Sequence, residues 1–271
     1  MLPFAHRGVF GSLLVALLLP NGAAGETARE ILDQVVAVSR SREPKDLTQT
    51  LRMTNFVRDE RIFARELETS TKFYPDDASK VVTYFLAPAD IKGVAFLAWQ
   101  EPGREDVQWL YLPKTHRVRQ IGAPQRRESF QDSVFTYEDL ELFAEMIDWT
   151  EKDAKSRIAR EREILDGAAC VVIELEPLRD DVSYGRFLLW IHRPDSTLRR
   201  AELYDRTDGE LMKKSTFSKF RAVGRLPVAH EIQAENVRTG LRTVLEISET
   251  RIDEGIDEEV FTPWHLERAS R

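Results

Sequence analysis

Few residues of this chain are of a type and spacing to do chemistry, and most of those have a structural use. Glu138 and Asp139 are an adjacent acidic pair in FTYEDLELFAEMI. General acid–base work would want two carboxylates in opposed environments. Here Thr136 stands before them as an N-cap and Asp139 follows three residues on, so the pair is placed to complete and neutralise a helix start. His116, His192, His230 and His265 are dispersed and lack metal-ligand spacing. The single cysteine, Cys170, lies in ACVVIEL, where a small buried apolar residue fits better than a reactive thiol. Asp205, Asp208 and Gly209 share some features of a calcium loop but lack its twelve-residue pattern and terminal Glu, so they read as a hairpin turn. There is no nucleophile elbow, phosphate loop or dinucleotide fingerprint. The expectation is a protein without catalysis, cofactor or metal.

The elements around these residues are mostly strands. Residues 26–42 carry Thr27 and Glu30 at capping-box spacing and Ile31, Leu32, Val35 and Val38 along one side, which predicts an amphipathic helix ending at Glu43-Pro44. From Leu47 the period is that of strands: TQTLRMTNFV, RIFARELETSTKFY, VVTYFLAP, GVAFLAWQ, VQWLYL and HRVRQI. The second helix begins at Thr136, with Phe135 and Leu140 placed for a hydrophobic staple and Leu140, Phe143 and Ile147 on one face. Strands resume at SRIAREREIL, turn at Asp166-Gly167, and continue as a meander to LRTVLEISETRI. About ten strands in hairpin order with two long helices predict a mainly β (α+β) fold. Its core is one highly curved antiparallel sheet, a half-barrel, with helices covering part of the concave face.

Several strands are apolar on both faces, unlike an antiparallel sheet with one wet face. Phe85, Phe96, Trp99, Trp109 and Tyr111 lie on neighbouring strands of this kind, and some of them are expected to line an inner apolar cavity. Parity alone does not say which, and a fully packed core is the alternative. Arg117, Arg119, Arg126 and Arg127 form a basic run beside them, suited either to lipid headgroups or an acidic partner or to a solvated strand face.

GVAFLAW (93–99), WLYLP, the basic VRQI strand and FTYEDL together resemble the outer-membrane lipoprotein-sorting proteins of the LolA/LolB superfamily. The resemblance is closest to the branch found beside RND-type exporters. Family members carry a Met-Gly-Ser-Asp-like run before the Tyr-Glu-Asp-Leu block. Here Gln131, Asp132, Ser133 and Val134 stand in its place, and only the serine matches. The resemblance implies a non-catalytic carrier of a lipid or lipoprotein acyl chain, with an RND-type inner-membrane exporter as partner. A non-carrier accessory subunit of such an exporter is the second reading. IDEEVFTPWHLE then corresponds to the short terminal segment common in the family.

MLPFAHRGVFGSLLVALLLPNGAAGE has a short region with Arg7, an apolar run and small residues at its exit, the pattern of a secretory signal peptide. The expected organisation is a leader over 1–25 and a single domain over 26–271, exported to the periplasm of a Gram-negative bacterium. A net charge of −7 argues against nucleic acid as a partner. Protein recovered from the periplasm should begin at Gly25 or Glu26. N-terminal sequencing checks this, and a start at Met1 in the membrane fraction would overturn it.

Overall fold

The computed structural model describes residues 25–75, 77–102 and 104–269, so the leader expected over 1–25 lies, except for Gly25, outside the described residues. Helix α1 (Ala28–Arg42) opens with the expected capping box: Thr27 Oγ1 accepts from Glu30 N at 3.2 Å and Glu30 Oε2 accepts from Thr27 N at 2.7 Å. The chain then enters a sheet at its middle. Strands β1 (Asp46–Val57), β2 (Glu60–Phe73), β3 (Ser79–Ala87), β4 (Ala95–Gln100), β5 (Val107–Leu112) and β6 (Arg117–Gln120) run outward, hairpin by hairpin, to one edge. Helix α2 (Tyr137–Glu145) carries the chain to the opposite edge. From there β7 (Ala154–Leu165), β8 (Ala168–Pro177), β9 (Tyr184–His192), β10 (Thr197–Asp205), β11 (Leu211–Val223), β12 (Leu226–Asn236) and β13 (Leu241–Ile252) return inward until β13 pairs with β1.

The sheet therefore has thirteen strands, not about ten. Even the four-residue β6 joins the ladder, from Leu112↔Arg117 to Trp109↔Gln120. HRVRQI is among the segments with a strand period, so the difference lies in the total and not in β6. The turns follow their residue chemistry. Asp166 (φ 49°) and Gly167 (φ 82°) are both left-handed, as a two-residue hairpin of twisted strands requires.

Contacts made by α2 establish the curvature. Gln108 of β5 donates to Glu141, while Ser183, just before β9, donates to Glu138. Along a flat sheet β5 and β9 would be nine strand spacings apart, roughly 43 Å, yet Glu138 and Glu141 are only about 4.5 Å apart along the helix axis. The sheet has to curl around α2. Its edges β6 and β7 do not pair with each other, so it stays open.

Both faces of the sheet are covered. On the concave side, α1 and α2 pack on Val171, Ile173, Phe187 and Leu189 in one half, and Phe130, Phe135 and Tyr137 pack on Phe85, Phe96 and Leu110 in the other. On the convex side the C-terminal segment, a 3-10 turn (Glu258–Phe261) and α3 (Pro263–Ala269), lays Phe261 and Leu266 over Val82, Ala95, Leu97 and Tyr111. Two-sided apolarity thus reflects cover on both faces, with the terminal helix on the side opposite the other two. Cys170 belongs to a second convex cluster with Val172, Leu188 and Trp190, and burial pushes its thiol up.

Thr136 caps α2 as expected, its Oγ1 accepting from Asp139 N at 3.1 Å. Thr136→Ala should cost about 1 kcal/mol in chemical denaturation. A variant as stable as the parent would show that the tertiary contacts of Asp139 hold the helix start without the cap.

Candidate functional site

The acidic turn of α2 does more than begin a helix. Glu138, Asp139 and Glu141 are all buried, and each is supplied with donors from elsewhere. Glu138 accepts from Ser183 N and Ser183 Oγ, both at 2.6 Å. Asp139 accepts from Thr136 N at 2.7 Å, from the Tyr184 hydroxyl at 2.6 Å and from Lys213 Nζ. Glu141 accepts from Gln108 Nε2 at 2.8 Å and from Arg126. Burial, and then the Asp139 carboxylate, hold the Tyr184 phenol well above its ordinary pKa. The network ties α2 to β5 at one end of the sheet and to β9 and β11 at the other. Sequence reasoning accounted for the cap but not for these partners. The available signal was Lys213 in LMKKSTF, a lysine on a strand position that alternation turns inward.

At the seam between the two halves, Gln100 Nε2 donates to Asp106 at 3.1 Å. Burial pushes the Asp106 carboxyl up to about 6, against the lowering effect of that hydrogen bond. Arg179 pairs across the same region with Glu145 at 3.0 Å.

The five aromatic candidates divide by strand parity. Phe85 and Phe96 are on the concave face, where both pack against Phe130 with centroids 5.9 and 5.3 Å away, and Phe96 also meets Tyr137. Trp99, Trp109 and Tyr111 are on the convex face. Trp99 and Trp109 meet edge to face at 4.8 Å, and Trp99 Nε1 donates to the Phe261 carbonyl at 2.8 Å. Lys80 lies 4.9 Å over the Trp99 ring, at the rim of an open hollow of about 570 Å3 with polar walls that include Gln100, Glu101 and Arg104.

Phe130 introduces the segment that departs from the family pattern. Gln131 and Asp132 are consecutive left-handed residues, φ 49° and 58°, each an expected cost of about 1–3 kcal/mol. Three buried polar groups hold them. Arg65 donates to the Gln131 carbonyl and, at 3.0 Å, to Asp132 Oδ2; Asn55 Nδ2 donates to the Asp132 carbonyl at 2.7 Å; Thr243 Oγ1 accepts from Val134 N at 2.9 Å. This strap presses Phe130 into the concave core. No short-range pattern links Asn55, Arg65 and Thr243, so sequence reasoning missed them.

The concave face is not filled everywhere. Between the end of α1 and β10–β12 a groove of about 240 Å3 remains, walled by Val38, Leu198, Phe217, Phe220, Leu226 and Ala229 and also by the polar Ser39, Arg42, Ser196 and Thr197. Strict alternation would send Phe217 and Phe220 to opposite faces. Lys219, at φ 54°, breaks the alternation, and both rings line the groove.

Of the basic run, Arg117, Arg119 and Arg127 are exposed, whereas Arg126 is engaged by Glu141. Among the described residues no group of three or more His, Cys, Asp or Glu is arranged to hold a metal.

Lys213→Met should destabilise the protein by about 3–5 kcal/mol, because it leaves the Asp139 carboxylate buried without its cation. Replacing both partners, with Asp139→Leu, should recover part of that loss. Urea unfolding checks both. A silent Lys213→Met would show that the pair is not buried in solution.

A family model described as "uncharacterized protein" matches residues 77–268. No curated protein sequence matches the chain. Among solved structures, one described as an outer membrane lipoprotein-sorting protein domain from Vibrio parahaemolyticus is 27% identical with a TM-score of 0.79, over 89% of this chain and 98% of that one. A DUF1329 family protein from Desulfovibrio piger shares the fold at 24% identity and a TM-score of 0.80, over 88% of this chain and 98% of that one. A LolA superfamily protein from Nitrosomonas europaea shares it at 20% identity and a TM-score of 0.59, again over 88% and 98%. The curled sheet, its central helix and these matches lead to one conclusion: the chain belongs to the family this model describes, and it shares its fold with the lipoprotein-sorting protein domain and the LolA superfamily protein.

Proposed function

We propose that the protein is an exported, periplasmic carrier that shields a lipid or lipoprotein acyl chain from water on the concave face of its sheet, without catalysis. The observation that carries this reading is the groove between α1 and β10–β12, an unfilled space on the concave face whose walls include Val38, Leu198, Phe217 and Phe220. Its volume, about 240 Å3, is below the ~300–1,000 Å3 usual for small-molecule pockets. It accommodates part of a long acyl chain. Each buried methylene contributes ~0.8 kcal/mol, so partial insertion gives binding that a membrane partner can reverse. By family resemblance that partner is an RND-type exporter. Export rests on the leader pattern, which lies outside the described residues apart from Gly25.

A second reading, a non-carrier accessory subunit of such an exporter, is favoured by the extent of packing elsewhere on the concave face. Phe85 and Phe96 are buried and pack against Phe130. Two substitutions separate the readings. Phe96→Glu places a charge in packed core and should cost several kcal/mol of stability. Phe220→Glu places it in the open groove, where water can reach it, and should leave the melting temperature nearly unchanged while abolishing uptake of a fluorescent fatty acid. If the parent protein takes up no probe and organic extraction of the purified protein yields no lipid, the accessory reading replaces the carrier.

A further inference from the structure

The two open edges of the sheet carry opposite electrostatic arrangements. At β7, arginines alternate with acids and several are paired, Arg157 with Glu174 at 2.7 Å and Arg160 with Glu163. At β6 there is no such compensation. Residues 107–127 contain five Lys or Arg and no Asp or Glu, in a chain whose net charge is −7. Arg126 is consumed by Glu141. The other four, Lys114, Arg117, Arg119 and Arg127, are exposed and form no hydrogen bond or ion pair among the described residues, and His116 is exposed between them. The nearest acid along the chain, Glu128, bounds the run.

The register gives these charges a direction. Arg117 pairs with Leu112 and Arg119 with Leu110, so both arginines stand on the same face as the concave-side leucines. Arg119 is close enough to Tyr137, at the start of α2, to affect its hydroxyl electrostatically, as are the acids Glu128 and Asp132 beyond the end of the basic run. The unpaired cations thus form a rim at the mouth of the curled sheet rather than a patch on its back. Charged side chains protect an open edge strand from pairing with another, and they also leave exposed cations that an anionic surface can neutralise.

We propose that this basic rim docks the protein on an anionic phospholipid surface, with the open concave side turned toward the bilayer. Clusters of four or more Lys or Arg near a membrane are the size that binds acidic headgroups. The chain as a whole is acidic, so this edge is basic against the average of the molecule. The interaction is electrostatic and reversible, and it weakens with salt.

The test is flotation of the protein, purified from the soluble fraction of cells producing the full chain, with vesicles of phosphatidylcholine alone or mixed equally with phosphatidylglycerol. The parent should float with the mixed vesicles at low salt, remain behind with phosphatidylcholine, and lose binding as salt is raised. Arg117→Gln/Arg119→Gln/Arg127→Gln should weaken association by about tenfold or more at an unchanged melting temperature. Lys155→Gln/Arg162→Gln at the β7 edge should leave it intact. If the parent ignores mixed vesicles, or the triple variant binds them as well as the parent, the proposal is wrong and the rim serves an acidic protein surface or solvent alone. Fatty-acid uptake by the same variants keeps the two readings apart. Uptake without flotation sinks the docking surface, and flotation without uptake sinks the carrier.

Discussion

Three carboxylates on one helical turn can be buried only if each finds donors, and α2 finds them on strands from both halves of the sheet. Asp139 is the centre of this arrangement, holding Lys213 of β11, the Tyr184 hydroxyl of β9 and the backbone N–H of its own cap. Such a pair adds little net stability over an apolar substitute, because desolvation offsets most of the attraction. Its contribution is to position: the donors are fixed points, so the helix has one place and one orientation. The curl of the sheet follows, since β5 and β9 must both reach that helix.

A curled open sheet creates two different surfaces from strands of one kind. The convex face is closed by Phe261 and Leu266 from the end of the chain, and by the cluster around Cys170 and Trp190. The concave face is divided by α2 into two apolar clusters that share Phe143. One is plugged by Phe130 on a strained strap, while the other leaves a groove under the end of α1. Strain in the strap and space in the groove lie on the same face, on either side of α2.

Arg65, Asn55 and Thr243 hold the strap through backbone carbonyls and an N–H rather than through apolar contact. Hydrogen bonds of this sort are directional, about 0.5–1.5 kcal/mol net between neutral groups and about 1.5–3 kcal/mol where a charged group such as Arg65 takes part.

The hairpin pairing of successive strands, the start of both principal helices, the hairpin at Asp166-Gly167 and the resemblance to lipoprotein-sorting proteins were legible in the amino-acid sequence, whereas the pairing of β13 with β1 was not. The legible features depend on residues within a few positions of one another: alternation, caps and turn chemistry act locally. Tertiary structure alone decided which face each aromatic took, because alternation separates Phe96 from Trp99 without saying which side is inside. It also decided that the terminal helix covers the convex face, that Lys219 turns Phe217 and Phe220 to the same groove, and that Glu138 and Asp139 are buried rather than solvated. A buried carboxylate is viable only when its donors arrive, and the donor to Asp139 lies 74 residues away along the chain. No local pattern encodes that meeting. It exists only once the sheet has curled and brought β11 beneath α2.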